Sequence, residues 1–382
     1  MTLAHTPQGT LRGLDLGGAL AFKGVRYAAP ARRFTAPEPP AAWDGVRDAL
    51  VPGPPAPQRP GRMAWVPGLE IDPASAREDC LFLNVWTPGT RGRHPVLVFL
   101  HGGAFVFGSG AQAMYDGATL AREHGLVVVT VNYRFGASGL WYGDGVPSNL
   151  ALRDQMAALA WVRSAAAAFG GDPGNVTLAG HSAGGTSVLA LMACAPALFE
   201  RAAAMSPVPY GFATPGQALA WTRASGIADP HTVPIADLLA GEERAARALP
   251  PVGGLLPVAP VLDGDLLKEH PMTGNLASMP LLVTTTAQEA RLFTAAGMGE
   301  PSTGEIFTEP ARELVRIHPG PARHLLREVR SPMTYGGVEL GACHLVDLPL
   351  YFGNYDTPLT GHEPAPEMTL EFARFCRGEE DT

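Results

Sequence analysis

The chain has 382 residues, 46% of them hydrophobic, and carries a formal net charge of −8. Its length suits one large α/β domain with loop insertions, which we place over residues 1–382, and its apolar content can fill a sizeable core. The negative charge argues against nucleic acid and anionic membrane surfaces as partners, and no apolar run is long enough to span a membrane.

Two features bear on location. The amino-terminal residues do not combine a basic segment with an apolar one, as a secretory signal does. The cysteines match neither a zinc-binding spacing nor a disulfide scaffold, and few cysteines in a long chain fit a reducing compartment. They are Cys80, Cys194, Cys343 and Cys376. We therefore expect a cytoplasmic protein, whose oligomeric state the sequence does not indicate.

The first distinctive segment runs from Val51 to Pro67; it is dense in proline and is predicted to be a surface excursion of the domain. After it come short apolar runs that predict buried strands of a parallel sheet, because a strand covered on both faces shows no alternation. These runs are Val96–Leu100, Leu126–Val131, Val176–Ala179 and Leu281–Thr285.

Between the second and third runs, residues 149–171 place apolar side chains at a spacing near 3.6 residues, which predicts an amphipathic helix ending at Gly170. Strand, helix and strand in this order predict a βαβ unit. A second helix is expected from Ala183. The less regular segment 207–256 predicts short helices that form a partial lid, and TLEFARFCRG near the end predicts one last helix.

The strongest chemical pattern is Gly180-His181-Ser182-Ala183-Gly184, which lies between a predicted strand and a predicted helix. Serine needs a base and an exposed position to act as a nucleophile, and a sharp strand-to-helix turn provides the position. The flanking glycines allow tight folding, and the helix N-terminus points toward developing negative charge. We predict that Ser182 is the nucleophile; the alternative is a glycine-rich turn with an inert serine.

A second pattern, His101-Gly102-Gly103-Ala104, follows the first of the predicted strands. Acyl transfer needs two or more N–H donors around the tetrahedral oxygen. One is expected from Ala183, which follows the nucleophile, and the others from this glycine loop. Read alone, the pattern fits an ordinary glycine loop equally well, but together with the serine turn it favours an oxyanion hole.

With these patterns in their order and spacing, the chain resembles the type-B carboxylesterases. The resemblance is carried by EDCLFLNVW at 78–86, HGGAFVFGSG at 101–110, VNYRFGASG at 131–139 and GGDPGNVTLAGHSAGG at 170–185. It implies an α/β-hydrolase fold, with a mostly parallel central sheet, helices on both faces and a reduced helical lid. It also implies that the oxyanion donors are the N–H groups of Gly103, Ala104 and Ala183, with Gly102 in the same loop.

The base is expected after the nucleophile, because this fold orders the triad as serine, acid, histidine. Of the six histidines that follow Ser182, five sit in polar or proline-rich surroundings. His344 lies in the stretch GACH, which looks like the Gly-Ala-x-His stretch that carries the base in the family. We therefore predict that His344 takes the proton from Ser182.

The acid is expected after a core strand, and the resemblance places it at Glu289. Thr286 and Ala290 stand where the family usually has asparagine and glycine. The alternatives are that Glu289 is a surface residue paired with Arg291, or that the acid is one of the rivals that follow Val261, namely Asp263 and Asp265.

Other departures from the family predict local differences. His181 stands where carboxylesterases usually have glutamate, so we expect weaker binding of cationic alcohols. Cys80 stands where the family forms a disulfide, but Ala56 occupies the partner's position, so no bridge is expected. The short interval between Glu289 and His344 predicts an open, shallow site. Candidate pocket residues are His181, Phe105, Phe107 and Trp65.

These observations predict a carboxylic ester hydrolase that forms an acyl-serine intermediate on small to medium, largely apolar esters, with no metal or cofactor. One alternative is an acyltransferase, or an enzyme that forms or opens lactones, with the same triad. The other is a non-catalytic binding protein with an esterase-like fold, against which the presence of Ser182, Glu289 and His344 argues.

Overall fold

The predicted strands form the centre of one large sheet. The computed structural model describes residues 2–29 and 32–379. The strands are β1 (Thr2–Thr6), β2 (Gly9–Asp15), β3 (Leu20–Arg26), β4 (Val46–Asp48), β5 (Phe82–Thr87), β6 (His94–Leu100), β7 (Val127–Val131), β8 (Gly171–His181), β9 (Arg201–Met205), β10 (Leu281–Thr286), β11 (Ala322–Arg327), β12 (Ser331–Tyr335) and β13 (Val338–Gly341).

Eleven strands within the described residues join in the order β1-β2-β3-β5-β7-β6-β8-β9-β10-β11, with β4 paired to β2. From β7 to β11 every neighbouring pair is parallel, whereas the pairs from β1 to β7 along this order are antiparallel. The predicted parallel core is therefore confirmed. β12 and β13 form a separate antiparallel hairpin.

The central strands are apolar because they are covered on both faces. In β6, residues Val96–Leu100 are all fully buried, and β6 lies between β7 and β8 in parallel register. No position on such a strand meets water, so alternation of polar and apolar residues has no physical basis there. This explains why an uninterrupted apolar run identified each core strand.

Helices flank the sheet and connect its parallel strands. They are α1 (Ala118–His124), α2 (Gly136–Leu140), α3 (Leu150–Ala165), α4 (Ala183–Cys194), α5 (Pro215–Ala224), α6 (Ile235–Ala248), α7 (Ala290–Ala295), α8 (Glu309–Ile317), α9 (Leu348–Phe352) and α10 (Pro366–Arg377). The predicted amphipathic helix is α3; a short 3₁₀ turn continues it to Gly170, where φ is 71°. In the part of the chain that the structure describes, no helix combines the length and apolar character needed to cross a bilayer.

A buried ion pair ties α3 to the loop that follows β7. Arg134 donates from Nε to Asp154 Oδ2 at 2.8 Å and from Nη2 to Asp154 Oδ1 at 2.6 Å. The Arg134 backbone N–H also donates to the same carboxylate. Both side chains are nearly inaccessible, with exposures of 4% and 0%. This pair fixes the start of the connection that leads from β7 to β8.

All four cysteines are free. Cys80 is fully buried near the start of β5, and Ala56 is buried as well, in agreement with the expected lack of a bridge. Burial raises the pKa of every thiol, to about 12 for Cys194 and Cys376 and further for Cys80 and Cys343.

Candidate active site

Ser182 occupies a strained turn between β8 and α4. Its backbone has φ 57° and ψ −120°, a conformation that side chains with a Cβ rarely adopt. A Cβ on Gly180 would lie 2.4 Å from the carbonyl oxygen of Gly184, and one on Gly184 would lie 2.1 Å from that of Leu100. Only glycine fits at both positions, so the turn can bring Ser182 to the end of the sheet.

The glycine loop after β6 lies directly against this turn. A Cβ on Gly102 would be 3.0 Å from the Ser182 Cβ, and one on Gly103 would be 1.9 Å from the Phe107 carbonyl oxygen. Gly103 and Ala104 have φ values of 112° and 52°. The loop therefore runs close to Ser182, and Gly102, Gly103 and Ala104 line the pocket that contains the serine. Ala183 is the first residue of α4, where the N–H has no partner within the helix.

His344 and Glu289 form a buried pair. His344 lies in the loop after β13, and Glu289 lies between β10 and α7. His344 Nδ1 is 2.5 Å from Glu289 Oε2. The other carboxylate oxygen, Oε1, accepts hydrogen bonds from Ser206 Oγ and from the Thr286 N–H, both at 2.7 Å. His344 and Ser182 line the same pocket, so the structure brings the three predicted triad residues to one place.

The alternative assignments of the acid do not fit this geometry. Glu289 is 0% exposed, and Arg291 donates to the Glu339 carbonyl oxygen, so the reading of Glu289 as a surface residue paired with Arg291 is wrong. Asp263 accepts hydrogen bonds from Asn149 Nδ2 and from nearby backbone N–H groups. Asp265 pairs with Arg153 at 3.2 Å, with 83% of its side chain exposed.

Burial controls the charge of this pair. It lowers the pKa of His344 to about 3, which favours the neutral imidazole that a general base requires. It also raises the pKa of Glu289, against the opposing effect of the hydrogen bonds from Thr286 and Ser206. Because Nδ1 faces Glu289, Nε2 is the ring atom available to the serine.

The pocket around Ser182 is mostly apolar and has an empty volume of about 510 Å³, part of it open to solvent. Its polar side chains are Gln112, Tyr115, His181, Ser182 and His344. Its apolar side chains are Met63, Leu69, Ala104, Phe107, Leu255, Phe293, Met298, Leu345 and Leu348. Such a lining suits an uncharged, largely apolar ligand.

The four candidate pocket residues divide into two groups. His181 and Phe107 line the pocket. Phe105 and Trp65 are not among the lining residues. The Phe105 side chain is 1% exposed within the core, and the Trp65 ring stacks on Tyr335, with centroids 3.7 Å apart. An aromatic residue beside a functional loop can equally well complete the core, and its sequence position does not distinguish the two roles.

Residues 59–69, which we call the cover segment, lie over the pocket. Met63 and Leu69 supply part of its wall. The segment is held by the Trp65–Tyr335 stack and by a 3.3 Å hydrogen bond from Arg62 to the Gly297 carbonyl oxygen. Ser182 is only 6% exposed, so the site is recessed and differs from the shallow one that we expected. The expectation of a shallow site rested on the short interval between residues 289 and 344. It did not include the cover segment, which overlaps the proline-rich stretch 51–67 and lies over the pocket.

The segment 207–256 contains α5 and α6 but contributes little to the pocket. Of its described residues, Leu255 alone is in the lining.

Ser206, which precedes this segment, is a site residue that sequence reasoning missed. It follows β9 with φ 42° and holds Glu289 through its hydroxyl. A single serine after a strand carries no recognisable signal, because its partner lies 83 positions further along the chain.

The chain matches one family model, described as the carboxylesterase family, over residues 1–318. It is 38% identical to the para-nitrobenzyl esterase of Bacillus subtilis, over 76% of this chain and 63% of that protein. It is 36% identical to a probable N-octanoylanthranilate hydrolase of Rhodococcus erythropolis, over 92% and 85%. The chain thus spans less than two thirds of the length of the Bacillus relative.

Solved structures show the same fold. A carboxylesterase from Geobacillus stearothermophilus superposes with a TM-score of 0.83 at 30% identity, covering 100% of this chain and 91% of that one. A structure of para-nitrobenzyl esterase superposes with a TM-score of 0.84 at 30% identity, covering 99% and 92%. The predicted α/β-hydrolase fold is confirmed.

Proposed function

This chain belongs to the carboxylesterase family, and from that premise we propose that it hydrolyses carboxylic esters with Ser182 as nucleophile, His344 as base and Glu289 as acid. The observation that carries the proposal is the 2.5 Å contact between His344 Nδ1 and Glu289 Oε2, in a pocket shared with the strained Ser182. A serine, an imidazole and a carboxylate gathered at one pocket are the groups that acyl transfer requires.

The reaction proceeds in two steps. Ser182 Oγ attacks the ester carbonyl carbon while its proton passes to His344, and the bond to the alcohol breaks as His344 returns that proton to the alcohol oxygen. A water molecule deprotonated by His344 then attacks the acyl-serine and releases the acid. The N–H groups of Gly103, Ala104 and Ala183 stabilise the negative charge on the carbonyl oxygen in both steps.

The lining of the pocket supports small to medium, largely apolar esters as substrates. Met63, Leu69, Phe107 and Phe293 offer apolar surface to the acyl chain or to the alcohol. In the described part of the chain, no lysine, arginine, aspartate or glutamate is among the lining residues. A formally charged substituent would therefore be desolvated without a counter-ion.

The test is a p-nitrophenyl ester series of increasing acyl length, from acetate to octanoate. Ser182→Ala and Glu289→Gln should each lower kcat by about 10⁴-fold or more, because both act in the transition state. Asp265→Asn is the matched control for the acid; it removes a rival carboxylate that is 83% exposed and should leave kcat within about twofold. Full activity of Ser182→Ala would refute the proposal.

Two experiments test the alternative functions that the sequence left open. If the wild-type enzyme transfers the acyl group to an added alcohol in preference to water, the chain is an acyltransferase. If a fluorophosphonate fails to label the wild-type protein at Ser182, the chain is a binding protein with an esterase-like fold.

A further inference from the structure

His181 is a buried polar side chain that faces the pocket. It is the last residue of β8 and is 1% exposed. Its ring centroid lies 4.4 Å from that of His344, and its Nδ1 would lie 3.4 Å from a Cβ built on Gly102. The imidazole therefore sits between the base and the oxyanion loop.

Neither ring nitrogen of His181 has a hydrogen-bond partner among the described residues. Two other polar side chains of the lining, Gln112 and Tyr115, differ in this respect. Gln112 bonds to the Leu69 carbonyl oxygen and to the Ser109 N–H, and Tyr115 donates to the Ser109 carbonyl oxygen. Because a buried polar group without a partner costs about 1–3 kcal/mol, a ligand that supplies the partner gains affinity from His181.

The chemistry of this partner follows from the charge of the ring. Burial and the neighbouring His344 lower the pKa of His181 well below its ordinary value, so the ring is neutral. A neutral imidazole offers one N–H donor and one lone-pair acceptor. It matches an uncharged group such as a hydroxyl or an amide, and it offers no attraction to a cation comparable to that of a carboxylate.

The position of the ring identifies the part of the substrate that it reaches. In the proposed reaction the carbonyl oxygen binds the amides of Gly103, Ala104 and Ala183, while the alcohol oxygen takes its proton from His344. Since the His181 ring packs beside His344, a polar atom that contacts it belongs to the alcohol portion.

We propose, on the basis of the proposed function, that His181 is a specificity-determining residue that selects esters whose alcohol carries a second, uncharged hydrogen-bonding group close to the ester oxygen. A hydroxyalkyl ester represents this class. The rival role is that His181 only positions His344 through ring packing.

Two esters of equal size separate these roles. 2-Hydroxyethyl butanoate and n-propyl butanoate differ only by a terminal hydroxyl in place of a methyl group. We expect wild-type kcat/KM to favour the hydroxyethyl ester about tenfold beyond the ratio for hydroxide-catalysed hydrolysis. His181→Phe, which keeps a planar ring, should remove this preference, and His181→Gln, which keeps a donor and an acceptor, should retain part of it.

The outcomes are distinguishable. If the wild-type ratio of kcat/KM for the hydroxyethyl and propyl esters is no greater than the ratio of their rates of hydroxide-catalysed hydrolysis, the inference is overturned, and no variant is needed to show it. An unchanged ratio of the two esters in His181→Phe, with both rates reduced, assigns His181 to positioning and also overturns it. A wild-type protein that hydrolyses neither ester and is not labelled by fluorophosphonate overturns the proposed function itself, and with it the inference.

Discussion

Glu289 uses its two carboxylate oxygens for different purposes. Oε1 accepts from Ser206 and Thr286, which fixes the carboxylate, while Oε2 meets His344 Nδ1. Two donors on one oxygen leave the other free to orient the imidazole, and this contact places the ring proton on Nδ1. The orientation of the His344 ring therefore depends on Ser206 and Thr286, which need not contact a substrate.

In the proposed mechanism, the buried His344–Glu289 pair determines the acid limit for activity. Burial lowers the pKa of His344 and raises that of Glu289 to about 7, so as the pH falls the pair takes up its proton on the carboxylate while the imidazole stays neutral. Because a protonated Glu289 no longer stabilises the imidazolium, kcat/KM for p-nitrophenyl butanoate should decline on the acid side with a midpoint close to pH 7. Samples held at each pH and then assayed at neutral pH control for irreversible inactivation. A plateau that extends below about pH 6 would contradict the prediction.

Sequence analysis singled out the serine, histidine and glutamate that the structure brings together, and it missed the residues that support them. Ser182 was recognised because its turn requires glycines at fixed positions, and those glycines are visible in the sequence. Ser206 and the apolar lining, such as Met63 and Phe293, have no such requirement. Their roles arise only when separate loops meet in space.

Among the elements, the connection from β7 through α3 to β8 determines where Ser182 lies. β6 lies between β7 and β8, so the chain passes over β6 through α3 before it enters β8, the strand that ends directly before Ser182. The Arg134–Asp154 pair joins the end of β7 to this helix. Because both side chains are buried, each charge is stabilised by its partner and not by water.

Replacing Asp154 by alanine should therefore lower the free energy of unfolding by about 3–5 kcal/mol, since Arg134 would remain buried without its partner. Urea unfolding followed by tryptophan fluorescence measures this change. Arg247→Ala is the matched control; it removes one partner of an exposed pair with Glu243, and the expected change is about 0.5 kcal/mol or less. A loss below about 1 kcal/mol in Asp154→Ala would show that the pair does not stabilise the fold.

Strands and helices were predicted well where burial dictates composition. The apolar runs located β6, β7 and β10 within two residues at each end, whereas the run for β8 lies inside a strand that begins earlier, at Gly171. The β12–β13 hairpin escaped prediction, because its residues are partly exposed and its pattern is polar. A hairpin that is held by one aromatic stack and a few backbone hydrogen bonds does not require regularly spaced apolar residues, so hydrophobic periodicity does not reveal it.

In the whole molecule, the site is closed by parts of the chain that are distant in sequence. The cover segment meets the β12–β13 hairpin through Trp65 and Tyr335, whose rings are nearly parallel, with an angle of 2° between their planes. Arg59 of the same segment pairs with Glu243 on α6 at 3.0 Å. The wall formed by Met63 and Leu69 thus depends on contacts made at the surface.

Tyr335→Ala should loosen this wall. Aromatic stacking contributes about 0.5–1.5 kcal/mol beyond buried area, so KM for p-nitrophenyl butanoate should rise about two- to tenfold while kcat changes less than twofold. Tyr335→Phe keeps the ring and should behave as wild type. Faster tryptic cleavage after Arg62 in Tyr335→Ala would report the same loosening, and unchanged KM and cleavage would argue that the stack has no such role.

The raised pKa values of the four thiols have a practical consequence for counting functional molecules. A thiolate is the form that competes for electrophiles, and at neutral pH each sulfur here remains protonated. Cys80, Cys343 and Cys376 are also buried, whereas Cys194 is partly exposed. With Ser182 as the proposed nucleophile, an electrophilic titrant should therefore react at its oxygen, and the mass of the intact adduct should increase by one equivalent. The labelled fraction would then equal the fraction of a preparation that has assembled its catalytic centre.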